Sequence, residues 1–60
     1  MDTFTAVMIA EGVEEAESEE HAFDAWQHLI DTGLAWQLQG SFGRTAQALI
    51  NQGLCRLPGD

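Results

Sequence analysis

The chain carries ten acidic residues against two arginines and no lysine in 60 residues, a net charge of −8 at pH 7. That balance excludes a phosphate-tracking nucleic-acid face, whose affinity comes from arginine and lysine, and leaves solubility or a basic partner as the use of the charge. A domain this short buries only about 60% of its unfolded surface, so residues 1–60 form a single small unit whose core is compact or shared with a second copy.

The first segment is ambiguous in pattern: Phe4, Val7 and Met8 suit one face of a helix, while Thr5, Val7 and Ile9 suit a strand. A helix over about 3–11 is predicted, because a lone short strand would have no partner in an otherwise helical chain. Gly12 stops it. Ile9 would then point away from Phe4 and Val7, and apolar surface on two sides hints at a homodimer or a bound partner. Met1-Asp2-Thr3-Phe4 has no positive n-region, and Ala6 to Ala10 is too short for a signal or a membrane span. Neither export nor membrane association is expected.

Residues 11–24 hold seven acids (Glu11, Glu14, Glu15, Glu17, Glu19, Glu20, Asp24) and no base. Such a stretch repels itself except where a helix N-terminus can use the charge. Residues 12–17 are therefore expected to form an acidic linker, and Ser18 followed by Glu19 and Glu20 to start a helix over 18–32. On that helix Ala22, Phe23, Ala25, Trp26, Leu29 and Ile30 fall within an arc of roughly 160°, with His21, Asp24, Gln27, His28 and Asp31 opposite.

The run Leu34 to Gly40 is too apolar for a solvated loop. It predicts a short helical turn at about 35–39, ended by Gly40, with Trp36 and Leu38 plugging the gap between the longer helices. A last helix over about 42–52 places Phe42, Ala46, Leu49 and Ile50 on one face and Arg44, Gln47 and Asn51 on the other. The expected fold is all-α, a small three-helix bundle with one extra turn.

One phrase occurs twice, twenty positions apart: Leu29-Ile30-Asp31-Thr32-Gly33-Leu34 and Leu49-Ile50-Asn51-Gln52-Gly53-Leu54. Each copy is a helix stop, with glycine in the left-handed conformation and the following leucine folding back onto the leucine five residues earlier. Two copies are too few for a solenoid. The single cysteine, Cys55, cannot form an internal disulfide, which fits a reducing cytoplasm.

Candidate chemistry is sparse. His21, Asp24 and His28, with Asp31 one turn on, have ligand-type spacing, but one helix supplies too few convergent donors, so no metal is expected. Gly40-Ser41-Phe42-Gly43-Arg44-Thr45 has the local chemistry of an anion site at a helix N-terminus, yet lacks the lysine and preceding strand of a P-loop. It reads first as a helix start, with Gly43 allowing close packing. Glu14, Glu15, Glu19 and Glu20 could imitate a line of phosphates and block a DNA-binding protein. No nucleophile, base and acid share a plausible placement, and no pocket for a cofactor is expected in so small a chain, so neither catalysis nor a cofactor is predicted.

The run His28-Leu29-Ile30-Asp31-Thr32-Gly33-Leu34-Ala35-Trp36-Gln37-Leu38-Gln39-Gly40-Ser41-Phe42-Gly43-Arg44-Thr45-Ala46, continued by Leu49-Ile50 and Gly53-Leu54-Cys55, resembles a family of very short uncharacterised proteins of tailed bacteriophages and prophages. The resemblance covers roughly half of the chain and implies a helical fold, a phage setting in the host cytoplasm, and no catalytic residues to carry over. Within this run Gln37, Gln39, Arg44 and Thr45 have no packing role. With Ser41 they form the expected partner-binding surface, for a host protein; an acidic DNA mimic and a homo-oligomeric structural protein are the alternatives.

Overall fold

The computed structural model describes residues 1–38 and 40–59. It contains four helices and, among the described residues, no strand: α1 Thr3–Ala10, α2 Glu19–Asp31, α3 Leu34–Gln37 and α4 Gly40–Asn51. The all-α expectation holds, with α3 as the short turn. α1 packs against α2, while α3 lies against both α2 and α4.

Local chemistry accounts for most boundaries. Asp2 caps α1 by accepting a hydrogen bond from the Thr5 amide, and hydrogen bonding from Thr5, its side chain first and its amide after it, holds the carboxyl below the usual carboxylate range. Ser18 caps α2 by accepting from the His21 amide at 3.1 Å. His21 answers with its ring: Nδ1 accepts from the Glu17 amide at 3.0 Å, so an imidazole does much of what a glutamate does in a capping box. Glu19 and Glu20 occupy the first turn, where the helix dipole favours them.

The helix stop occurs three times, because α1 ends on a copy that the sequence pattern disguises. Met8-Ile9-Ala10-Glu11-Gly12-Val13 matches Leu49-Ile50-Asn51-Gln52-Gly53-Leu54 in bonding as well as in order. Gly12 and Gly53 have φ of 80° and 78°. The Gly12 amide donates to the Ile9 carbonyl and the Val13 amide to that of Met8; the Gly53 amide donates to Ile50 and the Leu54 amide to Leu49. Both are complete Schellman motifs. The middle copy differs. The Gly33 amide still reaches the Ile30 carbonyl, but Leu34 has entered α3, and the Thr32 hydroxyl donates to the Leu29 carbonyl at 3.3 Å instead. Threonine at this position lets α2 stop and α3 start without a gap.

Three expectations are corrected. The break between α3 and α4 is made by Leu38, which turns extended at ψ −165°, and Gly40 opens α4 instead of closing the turn before it. Ser41 therefore lies inside α4. On α1, Ala6 and Ile9 face the core and Phe4 is 71% exposed, so apolar surface remains on one side only. Trp36 does not plug the gap between helices: Ala35 is the buried residue there, and Trp36, 45% exposed, lies across α4 at Gly43.

The core has small residues at its centre. Ala6, Ala25, Ala35 and Ala46 are fully buried with Leu29 and Ile30, and Ile9 and Cys55 complete the cluster. Alanine at the contact points permits close helix approach; Phe23, Trp26, Leu34, Phe42, Leu49 and Ile50 pack around this centre, half-buried. The Trp26 and Phe42 rings, 5.5 Å apart and tilted by 49°, connect α2 to α4.

Gly43 allows a direct test of close packing. A Cβ added there would meet Trp36 Cε3 at 3.5 Å and the Ala35 carbonyl oxygen at 3.7 Å, ordinary contact distances. Gly43→Ala should therefore stabilise the protein by about 0.5–1 kcal/mol through helix propensity, seen as a higher Tm. A lower Tm would show that the approach of Trp36 to the helix does need glycine.

Candidate functional site

Ser41, Arg44 and Thr45 lie at i, i+3 and i+4 on α4, and with Ala48 at i+7 they share one exposed face. Gln37, on α3, is exposed as well. Gln39, expected in this surface, lies outside the described residues. The feature that sequence reasoning missed is Trp36 beside this group. Its ring rests on the helix at Gly43, directly before Arg44, with nearly half of its surface open. A tryptophan resting at a surface next to an arginine pairs two of the residue types that most often dominate protein interfaces. Helical periodicity could place Trp36 on a turn, but not decide whether that turn faces inward.

Glu14, Glu15, Glu19 and Glu20 are all exposed, the first two in the turn between α1 and α2, the second two at the start of α2. Both arginines are elsewhere, Arg44 on α4 and Arg56 in the C-terminal segment.

The polar face of α2 is partly covered. His21, Asp24, Gln27, His28 and Asp31 line an open depression together with Met1. His28 Nε2 is 2.9 Å from the Thr3 hydroxyl, and His21 Nδ1 is occupied by the Glu17 amide. The two histidines thus help join α1 and the preceding turn to α2. Among the described residues no group of three or more histidine, cysteine and acidic side chains could hold a metal ion.

Gln27 has the most specific role on this face. Its Nε2 donates to the Arg56 carbonyl at 2.7 Å, its Oε1 accepts from the Arg56 amide at 2.8 Å, and its Nε2 also reaches Asp31 at 2.9 Å. One side-chain amide thereby satisfies both backbone groups of a residue 29 positions away. This clamp holds the C-terminal segment on α2 and seats Cys55 in the core, 3% exposed, with its thiol donating to the Phe23 carbonyl at 3.6 Å. Burial, with smaller contributions from Asp24 and Asp31, pushes the thiol above its ordinary range. A buried thiol with a raised pKa is a poor nucleophile.

Gln27→Ala should release the segment and expose the thiol. Cys55 should then react with a disulfide reagent at least about tenfold faster, for the loss of roughly 1.5 kcal/mol or more of hydrogen bonding. Equal labelling rates in the two proteins would show that the clamp does not hold the tail.

The geometry can be set beside known proteins. A family model described as a domain of unknown function, DUF7417, matches residues 5–60. The chain belongs to this family. No curated protein and no solved structure shows significant similarity to it. The DUF7417 match takes in α2, α3, α4, all three glycine stops and the Gln27 clamp, while Met1 to Phe4 precede it. Among the described residues of this DUF7417 chain, no helix is long and apolar enough to cross a membrane.

Proposed function

We propose that this chain acts by protein–protein interaction through the face formed by α3 and the start of α4, with Trp36 as anchor and Gln37, Ser41, Arg44 and Thr45 around it. The supporting observation is the half-exposed Trp36, fixed on the helix instead of inserted into the core. An aromatic side chain ordered before binding loses little entropy on binding. The phage resemblance of the same run gives the partner class: a protein of the bacterial host, bound by a phage- or prophage-encoded protein in the host cytoplasm. The chemistry supports a binder over an enzyme, since the one thiol is buried and both histidines are in structural hydrogen bonds.

Pull-down from a bacterial lysate with wild type and Arg44→Ala tests this surface. Arg44 is exposed, so its loss leaves the fold intact. One or more host proteins should be retained by wild type and lost with the variant; identical partner lists, or none, would sink the assignment.

A second reading is an acidic DNA mimic built on Glu14, Glu15, Glu19 and Glu20, supported by their uniform exposure and the absence of any base between them. It predicts capture of a DNA-binding protein that weakens steeply with salt and is lost when these four become glutamine. Glu19 and Glu20 already have a structural use at the start of α2, which makes this the weaker reading.

A further inference from the structure

α1 is uncharged from Thr3 to Ala10, and it buries only the side that carries Ala6 and Ile9. On the opposite side Phe4, Met8 and Glu11 succeed one another at i, i+4 and i+7. The helix stop extends this strip. Val13 and Glu14 both donate their amides to the Met8 carbonyl, at 3.0 and 3.2 Å, which brings the chain back against the last turn of α1. In this motif the residue after the glycine commonly sits beside the one whose carbonyl it takes, here Val13 beside Met8. Phe4 is 71% and Val13 65% exposed, the two most exposed large apolar side chains of the protein.

The strip is apolar at one end and acidic at the other. Glu11 and Glu14 lie on it, and Glu15 and Glu17 follow, all exposed. The chain has no basic residue before Arg44 to meet them. A second copy of this chain is poorly suited to the strip, because it would bring its own charge of −8 and no cationic stretch. An anionic membrane or nucleic acid fails for the same reason. What the strip complements is a helix with an apolar edge and lysine or arginine beside it.

We propose that the outer face of α1, with Phe4, Met8 and Val13 as apolar contacts and Glu11 and Glu14 as the charged end, docks a basic amphipathic helix of another protein. Two helices side by side would match over roughly 12 Å, the length of α1, enough for two apolar side chains of the partner to reach Phe4 and Val13. This surface is carried by α1, which packs on α2, whereas the Trp36 and Arg44 face is carried by α3 and α4.

The test uses the full chain, isotope-labelled for NMR, and a synthetic amphipathic peptide of about 18 residues, long enough to exceed the strip, with leucine on one edge and lysine elsewhere. A peptide with glutamate in place of lysine is the control. Binding of the lysine peptide should shift the resonances of Phe4, Met8, Glu11, Val13 and Glu14 and leave Gln37, Ser41, Arg44 and Thr45 in place. Phe4→Ser, at a site too exposed to disturb the core, should weaken binding at least about tenfold, and Glu11→Gln with Glu14→Gln should remove most of its salt dependence. The glutamate peptide should not bind.

Absence of binding, shifts centred on residues 37–45, or binding unchanged by Phe4→Ser would each overturn the proposal, the last by showing attraction through charge alone. A molar mass that doubles with concentration in wild type and not in Phe4→Ser would also overturn it, by assigning the strip to a second copy. Because the Arg44→Ala pull-down concerns the other face, either proposal can fail while the other stands.

Discussion

Leu29→Ala should leave little folded protein at physiological temperature. Among the described residues Leu29 and Ile30 are the only large side chains that are fully buried, and the residues nearest the centre besides them are alanines. A cavity there would be bordered by side chains that have nothing more to extend into it. Leucine-to-alanine changes at buried sites cost about 2–5 kcal/mol, more where the surroundings cannot collapse. A chain of this length has a total stability of roughly 3–9 kcal/mol, so one substitution consumes most of it. Urea titration followed by circular dichroism would show the midpoint falling sharply or the folded baseline vanishing. A loss under about 1 kcal/mol would mean that the half-buried ring of Phe23, Trp26 and Phe42, and not the centre, holds the fold.

Gly33→Val should be the most damaging of the glycine substitutions. Gly33 has φ 81°, and no neighbouring atom lies within 4 Å of the position a Cβ would take, so the cost is conformational and not steric crowding by the rest of the protein. Forcing an L-residue into the left-handed region costs roughly 1–2 kcal/mol, and a β-branched side chain costs more. Gly33 also caps α3, so a shift in its backbone would displace Leu34 and the buried Ala35. Gly33→Asn tests the cause, since asparagine tolerates this conformation and should lose only a fraction of what valine loses. At Gly53, which opens no following helix among the described residues, the same valine should cost less. Equal melting temperatures for wild type and Gly33→Val would refute the conformational account.

What the sequence reveals here is what is set within a few residues. Ser18 with Glu19 and Glu20 announces the start of α2, and Gly33 and Gly53 announce two stops, because a cap involves only neighbours in the chain. Gly12 announces a third, at the end of α1, although the residues before it suit a strand as well as a helix. The buried edge of α2 follows from periodicity. What covers its polar edge does not: the bond from Thr3 to His28 and the clamp from Gln27 to Arg56 join polar residues 25 and 29 positions apart, and no local pattern marks a glutamine that will hold a distant backbone. For the candidate surface, spacing places Arg44 on the outward face of the last helix, while Ser41 and Thr45 enter the surface from sequence as polar residues without a packing role. The exposure of Trp36 was not legible, since a four-residue helix is too short to have a periodicity.

The three similar stops bear on how quickly the protein can fold. With helix ends set by hydrogen bonds between near neighbours, each helix can find its limits before it meets another, and the early search is over short loops. Chains dominated by such local contacts fold in microseconds to milliseconds. The bond pair between Gln27 and Arg56 spans half of the chain and depends on α2 being complete. Its loss in Gln27→Ala should therefore speed unfolding and leave the folding rate nearly unchanged, the pattern of a contact made after the barrier.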